Sequence, residues 1–464
     1  MEQKIKLLIM KKQNLKRILW LAVIALVIVI TWFAWPRLPI ITAFAAKGMC
    51  SSVFLADKKP ENVMAEDLSF FPISLAKTKI DYDEKSATST VFGLAKRKAI
   101  YREGLGSVIL LGKSEDKLKA ENFIIPEPGY SQDTIPWPKG DVLPGDIIEG
   151  VNYERLSQLI DTCFDMPGAE PYKKTLGIVV VYDNALIAEK YLGDYDLKTK
   201  FHGWSMTKSV TGALAGILAD QGKLKLDDPV GIEQWKNDDR KNITIKHVIQ
   251  MSTGLDWYEN YFTISDATIM LMQSEDMLAS VVDNPLTHEP GSFWNYSSGD
   301  ANLLSGIIRR TIGNDEKYHA FVYNDLFHPA GMLNTVVETD ASGLFVASSY
   351  SYGSTRDWAR FGLLFLNEGV FAGDTILSKE WVDFMKAPAP ASDNKYAGTF
   401  WLKEPSPENA LDDVPGDIFF ADGFLGQRIY IIPSKKLVVV RMGYGLSNFS
   451  MNDFLREVVG CLPE

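Results

Sequence analysis

Cysteine is nearly absent from this sequence: Cys50, Cys163 and Cys461 are the only three in 464 residues. Three cannot build a disulfide framework, and no two stand at C-x-x-C spacing, which excludes a zinc knuckle and a dithiol redox centre. One disulfide with one thiol left over stays open. The five histidines are scattered, with no H-E-x-x-H and no close pair, so the reading is a chain without metal or organic cofactor. Positive charge is in the minority: 48 Lys and Arg against 59 Asp and Glu leave a formal charge of -11, which argues against a nucleic-acid partner. There is no internal repeat and no low-complexity tract. Gly and Pro are ordinary at 35 and 22, which excludes collagen-like and disordered chains and leaves one large globular domain or two to three smaller ones.

Long apolar runs are absent too, with one exception. Ile18 to Trp35 carries no charge and would span roughly 27 Å as a helix. Lys4, Lys6, Lys11, Lys12, Lys16 and Arg17 precede it, which by the positive-inside rule holds that end in the cytoplasm. The expectation is a single-pass anchor in the cytoplasmic membrane, with everything after Pro36 extracytoplasmic (periplasmic). Ala43-Phe44-Ala45 offers the alternative of a cleaved signal and a secreted protein, but it lies about ten residues past the run, far for a signal peptidase. Lys47-Gly48-Met49 before Cys50 is a poor lipoprotein box. The chain then divides into 1–40, basic tail and anchor; 41–149, an N-terminal extension; and 150–464, a catalytic domain.

Within the extension, Val91 to Ala95 and Ser107 to Leu111 read as strands, and the prolines at 126, 128, 136, 138 and 144 read as an irregular linker or a surface-hugging strap. From residue 150 the pattern sharpens. Val151 to Phe164 is an amphipathic helix. Asp183-Asn184 turns a hairpin between Leu176–Tyr182 and Ala185–Tyr191, and a second hairpin joins Arg428–Ile432 to Leu437–Met442. A last helix covers Asn452 to Val459. Strands at both ends enclosing a mainly helical middle, 205–370, imply one sheet built from distant segments: an α/β chain of α+β type.

No G-x-S-x-G elbow is present. There are several S-x-x-K patterns, at Ser74/Lys77, Ser114/Lys117, Ser205/Lys208 and Ser392/Lys395. Only Ser205 opens a long apolar helix, ending at Gly222, whose Gly212, Ala213, Ala215 and Gly216 suit deep burial. Positions i and i+3 share a helix face, so the Lys208 amine would sit beside the Ser205 hydroxyl, desolvated enough to take its proton. For the other pairs a capping serine and a solvent lysine is the default. Tyr296, just ahead of a helix at Ala301–Arg309 and two residues from Ser298, is the candidate to pass a proton to a leaving group. Trp204, Trp257, Tyr258 and Trp294 either line an apolar acyl pocket or are plain core aromatics; Asp256 and Glu259 are candidates to meet a cationic substrate group.

These motifs, in order, resemble a known superfamily. Ser205-x-x-Lys208, Lys223-Leu224-x-Leu226-Asp227-Asp228-Pro229-Val230, Ile243-Thr244-Ile245-Lys246-His247 through Met251-Ser252-Thr253-Gly254-Leu255, Pro290-Gly291 through Tyr296-Ser297-Ser298, and Phe327-His328-Pro329-Ala330-Gly331-Met332 are similar to the serine beta-lactamase/penicillin-binding protein superfamily. Within its class C-like branch the chain is most similar to 6-aminohexanoate-dimer hydrolases and related esterases, over about 150–464. The resemblance implies a beta-lactamase-like antiparallel sheet flanked by helices, with an all-helical subdomain, and an acyl-enzyme mechanism. Ser205 would be the nucleophile, Lys208 the base and Tyr296 the acid/base, with the backbone N–H groups of Ser205 and Phe424 as oxyanion hole. Ser298, Gly423, Gln427, Trp257 and Tyr258 would be substrate contacts, although Gln427 reads equally well as a buried partner of its strand end. Where the superfamily carries Lys-Thr-Gly or His-x-Gly, this chain has Ala421-Asp422-Gly423, so the cation that helps hold a substrate carboxylate is missing. The expected activity is cleavage of a small-molecule carboxylic ester or linear amide. A cell-wall D-amino-acid peptidase, a beta-lactamase, and a catalytically inactive ligand-binding ectodomain are the alternatives.

Overall fold

The computed structural model describes residues 14–21, 34–145, 147–166, 168, 172–406, 410–445 and 448–463. Most of the apolar run Ile18 to Trp35, and Lys4, Lys6, Lys11 and Lys12 before it, lie outside the described residues. Among the described residues no helix is long and apolar enough to cross a membrane.

The first long helix, α1 (Leu38–Phe54), crosses the 40/41 boundary drawn from sequence and is buried along most of its length. Ala43 and Ala45, the small residues of the would-be cleavage site, are buried in the core with Ile40, Ile41 and Phe44. Cleavage there would cut through a packed helix and remove core side chains. Helix α1 packs on a four-stranded antiparallel meander, β1 (Lys77–Asp81), β2 (Ser86–Val91), β3 (Leu94–Arg102) and β4 (Gly106–Ile109). Strand β4 falls where Ser107–Leu111 is expected. Val91–Ala95 is not a strand: Phe92 and Gly93 both have positive φ, 52° and 77°, and turn the chain between β2 and β3. The apolar residues on either side of Gly93 belong to two strands, not one.

Residues 126–145 form the strap. Trp137 lies against the guanidinium groups of Arg356 and Arg360, 5.9 and 4.8 Å from its ring centre, and its Nε1 donates to Asn184 O at 2.8 Å. Gln132 Nε2 donates to Gly331 O at 2.6 Å, so the proline-rich segment is tied down by its polar side chains.

A further sheet has five antiparallel strands, and its ends come from the two ends of residues 150–464. Strands β5 (Thr175–Tyr182) and β6 (Ala185–Tyr191) pair through β5 with the later β7 (Phe419–Gly423), β8 (Gln427–Ile432) and β9 (Leu437–Gly443), in the order β7-β8-β9-β5-β6. Both hairpins form where expected; Asp183 and Asn184 take positive φ, 45° and 67°. Val438–Val440 faces Val179–Val181 across the ladder. These runs are apolar without alternation because both sheet faces are covered. One face packs into the main core with α5 (Thr355–Leu366), and the other is covered by α2 (Tyr153–Thr162) and α6 (Met451–Val459). Between the two halves of the sheet lie α3 (Met206–Asp220), the short helices Ile245–Ile249, Asp266–Gln273 and Met277–Val282, and α4 (Ser298–Ile312). The helical layer and the antiparallel sheet meet the expected α+β fold. All three cysteines are buried and unpaired.

Residues 41–149, the expected extension, share a buried ion pair with the rest of the chain. Glu338, wholly buried, receives the Lys47 ammonium, the Ser51 hydroxyl at 2.9 Å and the Ser107 backbone N–H at 2.6 Å. All three donors belong to the extension. Without it a charged carboxylate would face the interior with no partner. Arg102 repeats the pattern beside it, donating to Thr339 O at 2.9 Å and Asp340 O at 3.1 Å. Lys47→Met should therefore cost about 3–5 kcal/mol in urea denaturation, because it strands the Glu338 charge. Adding Glu338→Met to that variant should recover most of the loss; a double variant no more stable than the single one would mean that the ion pair does not join the two parts.

Candidate active site

Helix α3 carries the first two residues of the site. It is buried from Met206 to Leu218, and its small residues are required by what lies against it. A Cβ on Gly212 would come within 2.5 Å of Met385 Cε, and one on Gly216 within 2.3 Å of Trp381 Nε1. The chain enters α3 through a three-stranded sheet, where Lys200–His202 pairs with Ser351–Ser354, and then through Gly203-Trp204. Trp204 has φ of 48°, a left-handed conformation that a tryptophan adopts only when its surroundings compel it. Its ring is held between Phe44 of α1 (centroids 5.5 Å apart, planes at 20°) and His202 (3.9 Å, 24°).

This strained entrance sets Ser205 at the N-cap of α3 without a side-chain capping bond, leaving the hydroxyl for another partner. Lys208 Nζ lies 3.0 Å from Ser205 Oγ, 3.1 Å from Ser298 Oγ and 3.0 Å from Ser348 O. The three other S-x-x-K pairs do not do this. Ser114 caps a helix by accepting from Lys117 N, Ser392 donates to Ala389 O and Tyr396 O, and Ser74 lies on the exposed surface.

Lys208 is almost completely buried, and loss of water pushes its ammonium down to about 8, against the opposing pull of Glu259. Near neutral pH a minority is therefore a free amine, able to accept the Ser205 proton, and the share grows as the pH rises to about 8. Tyr296 stands over the same amine, its ring centre 4.8 Å from Nζ. Burial holds its hydroxyl well above the usual tyrosine range, with a hydrogen bond to Ser205 pulling the other way. It keeps its proton and is a donor.

From the sequence, Glu259 is a candidate to meet a cationic substrate group. In the structure it faces inward. Its carboxylate accepts from Ser298 Oγ at 2.5 Å, Ser298 N at 3.0 Å and Trp257 Nε1 at 2.6 Å. Ser298 thus donates to Glu259 and accepts from Lys208, and the carboxylate fixes that direction. Tyr261, which the sequence did not single out, brings its hydroxyl within 3.3 Å of Ser298 Oγ. Neither contact with Ser298 has a sequence signal, since they join positions 39 and 37 residues apart. Ser298 opens α4, three residues before the expected helix start, because Ser297 supplies the cap by accepting from Asp300 N.

The edge strand β7 closes the site. A Cβ on Gly423 would approach Gly203 O to 2.3 Å, so only glycine lets the strand come this near to the turn leading into Ser205. The Phe424 ring packs on Trp204, centroids 5.4 Å apart. The β7–β8 turn is braced from behind. Arg441 Nη1 donates to Gly426 O at 2.9 Å, and Gln427 accepts from Gly443 N at 3.0 Å and donates to Gly443 O. Both ends of the Gln427 amide are committed to the end of β9, so it is a buried partner of the strand and not a substrate contact. Trp257 donates through Nε1 to Glu259, whereas Tyr258 is exposed and its hydroxyl accepts from Asn260 Nδ2 at 3.1 Å. Ala421 is buried, and the neighbouring Asp422 is paired with Arg428, which also lies 3.7 Å from Glu404. That guanidinium is already committed to two carboxylates. Among the described residues no cluster of His, Cys, Asp or Glu could hold a metal ion.

Removing the Glu259 charge should let the Lys208 ammonium titrate below about 8. Glu259→Gln, with lysines reductively 13C-methylated and followed by NMR, should show that downward move; an unchanged midpoint would mean that the carboxylate does not act on Lys208.

Residues 156–452 match the Beta-lactamase family. Protein flp of Staphylococcus aureus (strain COL) is 27% identical over 192 residues, a match covering 38% of this chain and 38% of flp. An uncharacterised protein of Alkalihalophilus pseudofirmus is 22% identical over 326 residues, covering 63% of this chain and 87% of its own. Among solved structures, a Bacillus anthracis protein described as a 6-aminohexanoate-dimer hydrolase superposes with a TM-score of 0.55 at 21% identity, over 72% of this chain and 89% of that one. A family VIII carboxylesterase gives 0.52 at 14% identity, over 69% and 100%. With its five-stranded antiparallel sheet and helical layer, the chain belongs to the beta-lactamase family, within the serine beta-lactamase/penicillin-binding protein superfamily.

Proposed function

We propose that the chain is an extracytoplasmic serine hydrolase that cleaves a neutral carboxylic ester or linear amide through an acyl-enzyme. The observation that carries this reading is the buried Lys208 amine, 3.0 Å from a Ser205 hydroxyl that caps nothing. In the neutral form of Lys208 the bond reverses: Ser205 donates its proton to Nζ while Oγ attacks the substrate carbonyl. Ser298 Oγ and Ser348 O hold the remaining N–H groups and keep the lone pair aimed at Ser205. The developing oxyanion is met by the Ser205 and Phe424 backbone N–H groups. Tyr296 gives its proton to the departing alcohol or amine, and the Lys208 ammonium resupplies it. Water then attacks the acyl-enzyme, yielding its proton to the same pair, and Ser205 leaves as the hydroxyl.

Neutral substrates are favoured because Ala421 stands where a carboxylate-holding cation would be, and Arg428 is taken by Asp422 and Glu404. The fold neighbours described as a 6-aminohexanoate-dimer hydrolase and a carboxylesterase support the reaction class alone. Ser205→Ala should lower ester turnover by on the order of 10³-fold or more and abolish labelling by a fluorophosphonate probe. In the parent protein, acylation should rise with pH through about 8, as the Lys208 ammonium gives up its proton, and level off above. Full activity in Ser205→Ala, a rate independent of pH across that range, or a cephalosporin hydrolysed as well as the best ester would each overturn the assignment.

The extracytoplasmic placement rests on six basic residues ahead of an uncharged run, and the burial of Ala43 and Ala45 favours a retained anchor over cleavage. The full chain should sediment with membranes and be released by detergent and not by salt. Recovery in the soluble fraction would remove the anchor from the reading.

A further inference from the structure

An aromatic surface leads from the catalytic relay to solvent. It begins at Tyr261, whose hydroxyl is 3.3 Å from Ser298 Oγ. The Tyr261 ring stacks on Phe424, centroids 5.0 Å apart and planes at 25°. Phe424 in turn packs on Phe70 (5.6 Å) and Phe262 (5.8 Å), which meet each other at 6.3 Å. At its outer end Phe262 is 65% exposed, and Phe71, next to Phe70, is 74% exposed. A large aromatic left in water beside a site, and continuous with it as Phe262 is, marks a surface that binds something apolar.

The charged groups nearest the inner end of this wall already have partners. Lys208 is buried and fully hydrogen-bonded, the Glu259 carboxylate already accepts three bonds, and Asp422 is neutralised by Arg428. Phe70 and Phe71 come from the extension, outside the residues 156–452 that match the family. The chain has therefore added part of this surface to the family's own site.

We infer that the substrate carries an extended apolar chain or ring beside its scissile carboxyl group, bound on a surface that Phe262 shares with Phe70 of the N-terminal extension. This rests on the serine-hydrolase reading and narrows it to neutral esters or amides with a hydrophobic substituent. The full-length protein in detergent should turn over p-nitrophenyl octanoate with a kcat/KM about tenfold or more above that for the acetate, or octyl acetate above methyl acetate by the same margin. Phe262→Ala removes an exposed ring, and Phe70→Leu keeps an apolar side chain where truncation would endanger folding. Each should lower the long-to-short ratio about fivefold or more. A ratio unchanged in both variants, or no chain-length preference in the parent protein, overturns the inference. Equal losses on long and short substrates also overturn it, since Phe70 would then act only through the backbone of Phe424. Fluorophosphonate labelling separates the two levels. A protein labelled at Ser205 without chain-length preference loses this inference alone; one that neither labels nor cleaves any ester loses the serine-hydrolase reading and this inference with it.

Discussion

A lysine ammonium buried away from water must either find compensating partners or give up its proton, and the architecture around Lys208 follows from that constraint. Its three hydrogen-bond partners come from α3, α4 and the loop at Ser348, segments far apart in sequence, so the amine can be desolvated only when the helical layer has closed. Glu259 moderates the cost. Its charge favours the ammonium while burial opposes it, and the balance leaves the group at about 8, where both forms are populated near neutral pH. A fully exposed lysine would stay protonated, and one buried without the carboxylate would be pushed further down. Such a poise suits a group that must accept a proton and return it.

A second buried charge governs the architecture on a larger scale. Glu338 belongs to the family-matched span, but the cation and the other two donors that satisfy it come from the extension. The same helix, α1, stacks Phe44 on Trp204, next to Ser205. The extension is therefore no passive spacer between an N-terminal apolar run and the family-matched span. It completes the interior of the domain and braces the strained turn from which the candidate nucleophile emerges. Strain at Trp204 is tolerable because its ring is held on two sides, and packing from outside the family-matched span supplies one of them.

Much was legible in the sequence where local chemistry decides. Hairpins at Asp183-Asn184 and 433–436 follow from turn residues between β-branched runs, α3 from its small-residue spacing and Gly222, and Ser205-Lys208-Tyr296-Ser298 from motif order and helix periodicity. Gly93 shows the limit of such reading: a glycine between two apolar pairs is compatible with one strand or with a turn between two, and only pairing partners decide.

By itself, then, the sequence determined the fold class, the rows of residues that share a helix face, and which serine stands beside which lysine, because all of these depend on spacing of a few residues. The tertiary structure alone decided the rest. Glu259 turns inward to Ser298, Gln427 commits its amide to Gly443, Tyr258 faces solvent, and Phe70 reaches Phe424 across more than three hundred residues of chain. Each is settled by the direction of a side chain relative to a distant backbone. That direction is fixed by the competition to satisfy buried polar groups and fill space once all the layers have met, a competition that no local pattern encodes.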